Sequence, residues 1–308
     1  MSVPNVNLDF TPVARKPGEV EKIVRPSRTF WQDARSKLFR HPIGMSGLVL
    51  VIVICLIAVF GPMLTKVSYS DQDLTKTYLD MGSPGYLFGT DNLGRDVLIR
   101  LLYGARISLI VGIVSTAISL AIGITFGATS GYLGGRVDNL MMRFVEVMAA
   151  VPELLYMILI SQVMPGGLTT ILIVIGATSW LNMARLVRGE VLTLKEREFV
   201  LASRTMGTKP LWIILRHLVP NAMGAIIVQA TIGIPQAIFF ESFLSFIGLG
   251  VSAPQASWGM MAAEALAGIR SFPHLLFLPA AAIGITLLAF QFFGQGLRDA
   301  LDPRIQSK

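Results

Sequence analysis

The chain has 308 residues, of which 53% are hydrophobic and 15% are charged. A soluble domain carries about 25% charged residues, so this composition and the mean hydropathy of +0.63 argue against a soluble enzyme and for a surface that largely faces lipid. The formal charge of +7 would suit nucleic acid, but the basic residues lie between long apolar runs, and we expect them to set membrane topology instead.

Long apolar stretches predict six transmembrane helices. A spanning helix needs about 20 mostly apolar residues. The run 154–184 divides at its Pro-Gly-Gly turn, and the run 242–263, rich in Gly, Ser and Pro, is assigned to a loop that could be re-entrant. With the N-terminus inside, 20 of the 26 Lys and Arg residues fall on the inner side, as the positive-inside rule requires. We therefore expect an all-α integral membrane protein with both termini in the cytoplasm. The predicted spans lie near 44–65, 107–130, 143–163, 168–187, 218–240 and 274–295.

Polar segments flank this transmembrane domain, which covers residues 44–297. Residues 1–43 contain four prolines before residue 27 and predict a cytoplasmic tail that ends in a short surface helix, FWQDARSKLFR. A signal peptide is not expected, because the charged leader is too long and the apolar run after it is long enough to span. Residues 298–308 form the predicted cytoplasmic C-terminal tail.

Sequence motifs for catalysis or cofactor binding are missing from the chain. It has no HExxH, no GxSxG and no GxxxxGK[ST] segment, so any ATP would be hydrolysed by another protein. The three histidines, His41, His217 and His274, are far apart and close to predicted span ends. The single cysteine, Cys55, allows no internal disulfide and no thiolate metal site. We expect a non-catalytic chain that binds no metal or cofactor.

Three charged residues lie at predicted membrane depth, where an ionisable group is costly and suggests function. Arg143 and Glu146 have the i, i+3 spacing at which opposite charges meet on one helix face, which favours an ion pair near the cytoplasmic end of the third span. Glu153 follows Pro152, which removes a backbone donor and can kink the helix. Whether Glu153 faces an aqueous pathway is left open.

Glycines recur at four-residue spacing on the second span, at Gly123, Gly127 and Gly131. This spacing lets another helix approach closely. Packing within one subunit and an interface between subunits both fit the pattern.

The segment 188–221, between the fourth and fifth spans, predicts two short helices. Gly207 ends the first as a C-cap, Thr208 caps the second, and Pro210 suits its first turn. Small residues on the first helix would let residues 199–216, here called the elbow, seat closely in a groove on a partner. A helix pair lying in the membrane interface is the alternative. The first helix carries a stripe of Phe199, Ala202, Ser203 and Met206, and the second an apolar face of Leu211, Ile214, Leu215 and Leu218.

An outer segment before the second span has its own helix signal. Thr90, Asp91 or Asn92 can cap a short helix beginning near Gly94, whose apolar face would lie on the membrane or on the loop between the fifth and sixth spans. The acidic and basic residues of this segment would then serve either a binding protein or internal salt bridges, of which we favour the second. These residues are Asp91, Arg95 and Asp96.

Four segments carry a resemblance to a known family. The elbow and its flanks, EFVLASRTMGTKPLWIILRHLVPN, resemble the EAA loop of ABC importer permeases. The outer segment FGTDNLGRDVLIRLLYGARISLIVG looks like the signature of the dipeptide/oligopeptide/nickel permeases, and ESFLSFIGLGVSAPQASWG and GQGLRDALDPR are further matches. Within the family, the segments FWQDAR, SWLNMARLVRGEVLTLKEREF and FESFLSF are most similar to the oligopeptide permease C subunit. The resemblance covers nearly the whole chain after the tail.

The resemblance implies a type I ABC importer permease fold in a bacterial cytoplasmic (inner) membrane. It implies translocation of oligopeptides or dipeptides, pairing with a homologous B-type permease, two ABC ATPase subunits that hold the ATP and Mg, and an extracytoplasmic peptide-binding protein. Nucleic acid is not among the expected partners. The implied ATPase-coupling residues are Glu198, Phe199, Ala202, Ser203, Gly207, Arg216 and Pro220, and those of the extracytoplasmic motif are Gly89, Thr90, Asp91, Gly94, Arg95 and Asp96.

The chain departs from the family pattern at two positions and leaves two rival functions. Gln295 stands where relatives often carry Asp, and Ser203 replaces the second Ala of the EAA triplet. A permease of the same family for nickel or another small solute would be favoured by histidine or methionine clusters, and the histidines form none. An ion-coupled transporter or channel would be expected to show inverted repeats and paired intramembrane acids, and neither is found.

Overall fold

The computed structural model describes residues 29–65, 67–252 and 254–301, and the regular secondary structure of this part of the chain is helical, with two isolated β-bridges. Five helices are long and apolar enough to cross a membrane, and a sixth span results if one bent helix pair is counted as one. The predicted all-α membrane architecture is therefore confirmed. The predicted tail at residues 1–28 and residues 302–308 lie outside the described residues. The helices are α1 (Phe30–Arg40), α2 (Pro42–Leu64), α3 (Val97–Leu133), α4 (Gly135–Ala150), α5 (Glu153–Val163), α6 (Leu168–Thr178), α7 (Leu181–Leu194), α8 (Glu198–Thr205), α9 (Pro210–Ile213), α10 (Val219–Phe246), α11 (Trp258–Ala265) and α12 (His274–Leu301).

Helix α1 lies where the sequence predicts a short surface helix. The Thr29 hydroxyl accepts from the Gln32 amide, and the Gln32 side chain accepts from the Thr29 amide, which forms a capping box. His41 is the N-cap residue of α2, and its Nδ1 accepts from the Gly44 amide at 2.9 Å. Its Nε2 lies 3.3 Å from a carboxylate oxygen of Asp299 on α12. The surface helix is thus joined to the end of the last span.

Helix α3 is 37 residues long, about 55 Å at 1.5 Å per residue. The Asp96 carboxylate caps it by accepting from the amides of Leu98 and Ile99. No proline interrupts the sequence from Val97 to Leu133. The expectation of a separate short outer helix followed by a span at 107–130 was therefore wrong, since the outer helix and the span are one element.

The predicted third span is instead two helices, α4 and α5, bent by 83°. The break falls at Val151 and Pro152. Proline lacks an amide hydrogen and disfavours the helical region for the residue before it, and Val151 is accordingly extended, with φ −93° and ψ 132°. The bend places Glu153 at the start of a new helix rather than within a straight one.

The fifth span and the second elbow helix also form one element. Helix α9, a π-helical turn at Ile214–Leu218 and α10 run continuously for 37 residues, Pro210–Phe246. The sequence predicts a separate elbow helix and a span at 218–240. The second elbow helix is therefore joined to the fifth span without a break in the helix.

Other boundaries differ less. Helices α6 and α7 together supply one span, Leu168–Leu194. Helix α12 runs to Leu301, so the first four residues of the predicted C-terminal tail are helical. The run 242–263, predicted as a loop, contains the end of α10, irregular chain at 247–252 and 254–257, and most of the short helix α11. Its described residues contain no helix of spanning length.

Helix α3 packs closely against α7 through its glycine stripe. A Cβ atom on Gly127 would lie 2.3 Å from the carbonyl oxygen of Ala184, and one on Gly123 would lie 2.6 Å from the Met183 side chain. Gly131 similarly faces Val191. The stripe therefore provides packing within this chain.

Candidate functional site

The elbow begins with α8, which ends at Gly207. Gly207 has φ +76°, and the amide of Thr208 donates to the Ser203 carbonyl at 3.1 Å while the Gly207 amide donates to Arg204 at 2.9 Å. This pattern satisfies the last carbonyls of a helix and favours glycine at the left-handed position. The prediction of Gly207 as the C-cap signal is confirmed. Lys209, not Thr208, is the N-cap residue of α9, and it supplies no side-chain cap.

Buried side chains attach the elbow to the spans. Val200, Ile213 and Leu218 are fully buried in a cluster with Val187 and Val191 of α7. Burying such side chains contributes about 1.5–3 kcal/mol each. The elbow is therefore packed on the transmembrane helices and is not a free loop.

Two polar contacts support the same attachment. The Ser203 hydroxyl donates to the Phe199 carbonyl at 2.9 Å and lies 3.4 Å from Nε2 of His217. The Arg204 guanidinium lies 4.9 Å from the ring centre of Tyr132, at the end of α3. Cation–π contacts of this kind stabilise exposed sites by about 0.5–1 kcal/mol.

The face of the elbow that points away from the transmembrane helices is apolar and exposed. Contiguous exposed apolar surface outside the spans is a candidate interaction surface. The predicted stripe on α8 is exposed except for Ser203, which is buried, while the predicted second face is divided, with Leu218 buried. The exposed large side chains are Phe199, Leu201, Met206, Leu211, Trp212 and Leu215.

The remaining predicted coupling residues lie at the rim of this surface. Glu198 is exposed in the first turn of α8, Arg216 is exposed in the π-helical turn, and Pro220 is exposed in the first turn of α10. Ala202 is exposed between Phe199 and Met206. The seven predicted residues thus belong to one continuous segment, with Ser203 facing inwards.

A bidentate ion pair, which sequence reasoning missed, connects the α3–α4 corner to α7. Arg188 Nε and Nη2 donate to the two carboxylate oxygens of Asp138 at 2.6 and 2.7 Å. The Ser130 hydroxyl donates to the same carboxylate at 2.5 Å, and the Lys195 ammonium donates to the Gly131 carbonyl at 3.0 Å. These contacts hold the second half of α7 against the end of α3 and the start of α4.

At the opposite end of α3, four charged side chains form a buried network, here called the outer network. Asp91 accepts from Arg95 Nε at 2.7 Å and from Arg100 Nη1 at 2.6 Å. Glu264 of α11 accepts from the same two arginines at 2.8 and 2.7 Å. Arg95 and Arg100 are 4% and 2% exposed, so both guanidinium charges are paired inside the protein, although the buried Arg100 Nε has no hydrogen-bond partner in the described structure. Sequence reasoning anticipated internal pairing of Asp91 and Arg95 but not Arg100 or Glu264.

The other residues of the outer motif shape the backbone. The Thr90 hydroxyl accepts from the Leu79 amide and donates to the Lys76 carbonyl. Gly94 has φ +69°, and a Cβ atom there would lie 1.9 Å from the Asp73 carbonyl oxygen. Gly89 accepts from the Val97 amide at 3.2 Å. The motif therefore folds the segment before α3 onto itself.

Hydrogen bonds also perturb one exposed acid of this segment. The Thr75 hydroxyl and the Lys76 ammonium lower the pKa of Asp73 to about 2. Asp73 also accepts from the Thr75 amide, which begins a short 3₁₀ turn. The carboxylate thus stays charged at any physiological pH.

The charges predicted at membrane depth have different surroundings. Arg143 Nη1 lies 3.0 Å from Glu146 Oε2 on the exposed face of α4, as the spacing predicts. Glu153 accepts from the Ser179 hydroxyl and is partly buried. The bend at Pro152 separates Glu153 from the ion pair.

A fully buried carboxylate, Glu241, was missed. It lies within α10 and accepts from the Ser245 hydroxyl at 2.7 Å and from Ser108 of α3 at 3.4 Å. The amide of Trp258 donates to the Ser108 hydroxyl at 3.3 Å, so Glu241 links α3, α10 and α11. Glu241 separates two uncharged runs in the sequence, which made it look like a span boundary.

The spans define a multi-pass helical membrane protein, and an apolar elbow is exposed at one of its ends. Residues 123–307 match the family described as the binding-protein-dependent transport system inner membrane component. Residues 29–80 match the N-terminal transmembrane domain of oligopeptide transport permease C. The chain belongs to the first family and is a multi-pass inner-membrane permease subunit of the ABC importer type.

Individual relatives agree with this assignment. The chain is 46% identical over 297 residues to the oligopeptide transport system permease protein OppC of Bacillus subtilis, which covers 96% of this chain and 97% of that protein. It is 48% identical over 289 residues to the dipeptide transport system permease protein DppC of the same organism, covering 94% and 90%. It is 42% identical over 286 residues to OppC of Escherichia coli K12, covering 92% and 94%.

A solved structure resembles the fold. The inward-facing MetNI methionine ABC transporter contains a chain that aligns with a TM-score of 0.52 at 19% sequence identity, over 66% of this chain and 96% of that one. The likeness concerns the helical architecture.

Proposed function

We propose that this chain is one of two permeases in an ATP-driven importer of peptides. Its partners would be a homologous B-type permease, two ABC ATPase subunits and an extracytoplasmic peptide-binding protein. The observation that carries the proposal is the apolar elbow, exposed in this chain and continuous with the fifth span. The relatives named for oligopeptide and dipeptide transport support the substrate class.

In this proposal, the elbow end faces the cytoplasm and the outer network faces the other side. Both termini are then cytoplasmic. The distribution of Lys and Arg in the sequence supports this orientation. The chain itself binds no ATP or Mg and catalyses no reaction, since a phosphate-binding GxxxxGK[ST] loop is missing from the sequence, and the ATPase subunits hold both.

The proposed mechanism follows from the continuity of the elbow with the fifth span. ATP-driven closure of the ATPases displaces α8 and α9, and α9 transmits the displacement through the π-helical turn into α10. A π-helical turn marks a departure from regular helix that is frequent at functional sites. The Asp138–Arg188 pair moves α7 and the end of α3 with the elbow.

The test is ATP-dependent peptide uptake by the reconstituted complex of permeases, ATPases and binding protein in liposomes. We expect uptake that requires ATP, tested with one dipeptide and one pentapeptide to separate the two peptide classes. Uptake of neither peptide, or uptake that proceeds equally without ATP, would contradict the proposal. A nickel-uptake measurement on the same liposomes tests the rival small solute.

A further inference from the structure

A large cavity opens at the elbow end of the molecule, between α1, α7, α10 and α12. Its volume is about 840 Å³, within the range of pockets that hold small ligands. A cavity of this volume is about 10 Å across, the length of roughly three extended residues. Its wall is partly apolar, with small residues of α10 such as Gly224 and Ala225.

Two opposite charges line this cavity. Glu190 of α7 is partly buried, and Arg298 of α12 is exposed. Within the described part of the chain, neither side chain forms an ion pair or a side-chain hydrogen bond. The two charges are therefore available to a ligand, and a ligand with both an anionic and a cationic group matches them.

Amide side chains on α10 continue the polar surface. Asn221 and Gln229 line the cavity, and Gln229 also lines a second, smaller cavity deeper in the molecule, together with Gln236. The smaller cavity has a volume of about 30 Å³, room for about one water molecule. One face of α10 thus carries amides from the cavity mouth towards the middle of the span.

The smaller cavity contains a polar group that lacks a protein partner. The Thr116 hydroxyl is buried, with no hydrogen-bond partner in the described structure, and it faces the cavity beside Ser115 and Ser119. An unpaired buried hydroxyl costs about 1–3 kcal/mol, which a bound water or a passing polar solute relieves. Since polar groups at membrane depth face a water-filled space or other protein rather than lipid, this face is suited to a hydrated path.

We propose that these two cavities form this chain's part of the peptide path, and that Glu190 and Arg298 receive the two charged ends of the peptide. The inference rests on the proposed function. Every linear peptide with free termini carries an α-ammonium and an α-carboxylate, whatever its side chains. Glu190 pairs with the ammonium, and Arg298 binds the carboxylate with two parallel hydrogen bonds.

The main chain of the peptide meets the amides. Asn and Gln side chains both donate and accept. Asn221 already donates one N–H to the His217 carbonyl, so its side-chain oxygen and the Gln229 amide are the groups that can pair with a peptide group irrespective of sequence. The path would then select for a zwitterionic peptide backbone and not for particular side chains.

The test uses the whole importer in liposomes and compares variants with wild type on three forms of one tripeptide: free, N-acetylated and C-amidated. Because the binding protein is the same throughout, the ratio of variant to wild-type uptake for each form isolates the permease. We expect Glu190→Gln to lower uptake of the free tripeptide about five-fold or more and to leave the N-acetylated form unchanged. Arg298→Gln should lower uptake of the free form and spare the C-amidated form.

Matched controls are the charged residues of α1, at the same end of the molecule but outside the cavity lining. Asp33→Asn and Arg35→Gln should leave all three ratios at one. Equal losses on all three forms for Glu190→Gln or Arg298→Gln would overturn the inference, because they would mean a structural role. Unchanged uptake would overturn it too.

A second measurement tests the path independently of transport. In a Cys55→Ser background, a cysteine at Gln229 should react with a membrane-impermeant thiol reagent applied from the cytoplasmic side. A cysteine at Val53, exposed on the apolar helix α2, should react at least ten-fold more slowly. Equal protection at both positions would contradict a hydrated path. A wild-type complex without ATP-dependent uptake would instead refute the proposed function, which keeps the two failures distinct.

Discussion

The two ends of the molecule differ in which kind of side chain they bury and which they expose. At the outer end, the buried Asp91, Arg95 and Arg100 pair with one another and with the partly exposed Glu264. At the elbow end, large apolar side chains such as Met206 and Trp212 are 76% and 57% exposed. The outer end pairs its buried charges within the chain, whereas the elbow end leaves apolar surface that another protein can cover.

This difference predicts where mutations act. A buried network loses stability when one member is removed, because the remaining charges are no longer balanced in a poorly hydrated place. An exposed apolar surface contributes little to the stability of the chain and much to binding. Outer-end variants should therefore alter folding, and elbow variants should alter assembly.

The largest expected effect is at Asp91. Asp91→Asn removes the negative charge and replaces the oxygen that accepts from Arg95 and Arg100 with an NH2 group, which cannot accept. We expect a loss of about 3–5 kcal/mol. The measurement is the thermal unfolding midpoint of the detergent-purified complex. Asp71→Asn, at an exposed acid of the same segment, serves as the control and should leave the midpoint unchanged. An Asp91→Asn midpoint equal to that of wild type would contradict the role of the network.

A smaller loss is expected at the ion pair next to the elbow. Asp138→Asn weakens a bidentate pair whose arginine is partly exposed, and hydrogen bonds to charged groups contribute about 1.5–3 kcal/mol. The same unfolding measurement applies. Because Asp138 and Arg188 are in contact, Arg188→Gln should lower stability less in the Asp138→Asn variant than in the wild type. Strictly additive losses would contradict direct coupling.

A substitution at the elbow C-cap glycine should affect stability less than it affects transport. Gly207→Val places a β-branched residue in a left-handed conformation, which costs about 1–2 kcal/mol, although its Cβ would meet no atom within 4 Å. We expect a small shift of the unfolding midpoint and loss of ATP-driven uptake. Normal uptake by a correctly inserted variant would contradict the coupling assignment.

The smallest effect is expected at the exposed pair on α4. Arg143→Gln breaks a contact between side chains that are 79% and 58% exposed, and such surface pairs contribute about 0–1 kcal/mol. Neither the unfolding midpoint nor peptide uptake should change measurably. A clear loss of uptake would instead place this pair on the path or at an interface.

Much of the fold could be predicted because long apolar runs leave few alternatives. The helix boundaries were harder to predict, because they depend on caps and on contacts with neighbouring residues. The outer helix and the second span form one helix, because Asp96 caps it at Val97 and no proline interrupts it. The helix that begins at Pro210 likewise runs on into the fifth span. Sequence spacing alone cannot show either continuity.

The candidate site could be predicted only where the chemistry is local. The C-cap at Gly207 and the Arg143–Glu146 pair depend on residues within a few positions of each other. Glu264 lies 164 residues from Arg100, and Glu241 meets Ser108 from another helix. Contacts of this kind require the packing of α3, α10 and α11 to be known.

The most direct test of the account is co-purification from membranes with the tagged chain in mild detergent. Ala202 is exposed on the elbow, so Ala202→Asp should not unfold the chain, and Ala267→Asp, at an exposed alanine at the outer end, is the matched control. The account predicts that wild type and Ala267→Asp retain both the second permease and the ATPases, while Ala202→Asp retains the permease and loses the ATPases. Recovery of the ATPases with Ala202→Asp at the wild-type yield would contradict the assignment of the elbow as the ATPase-binding surface.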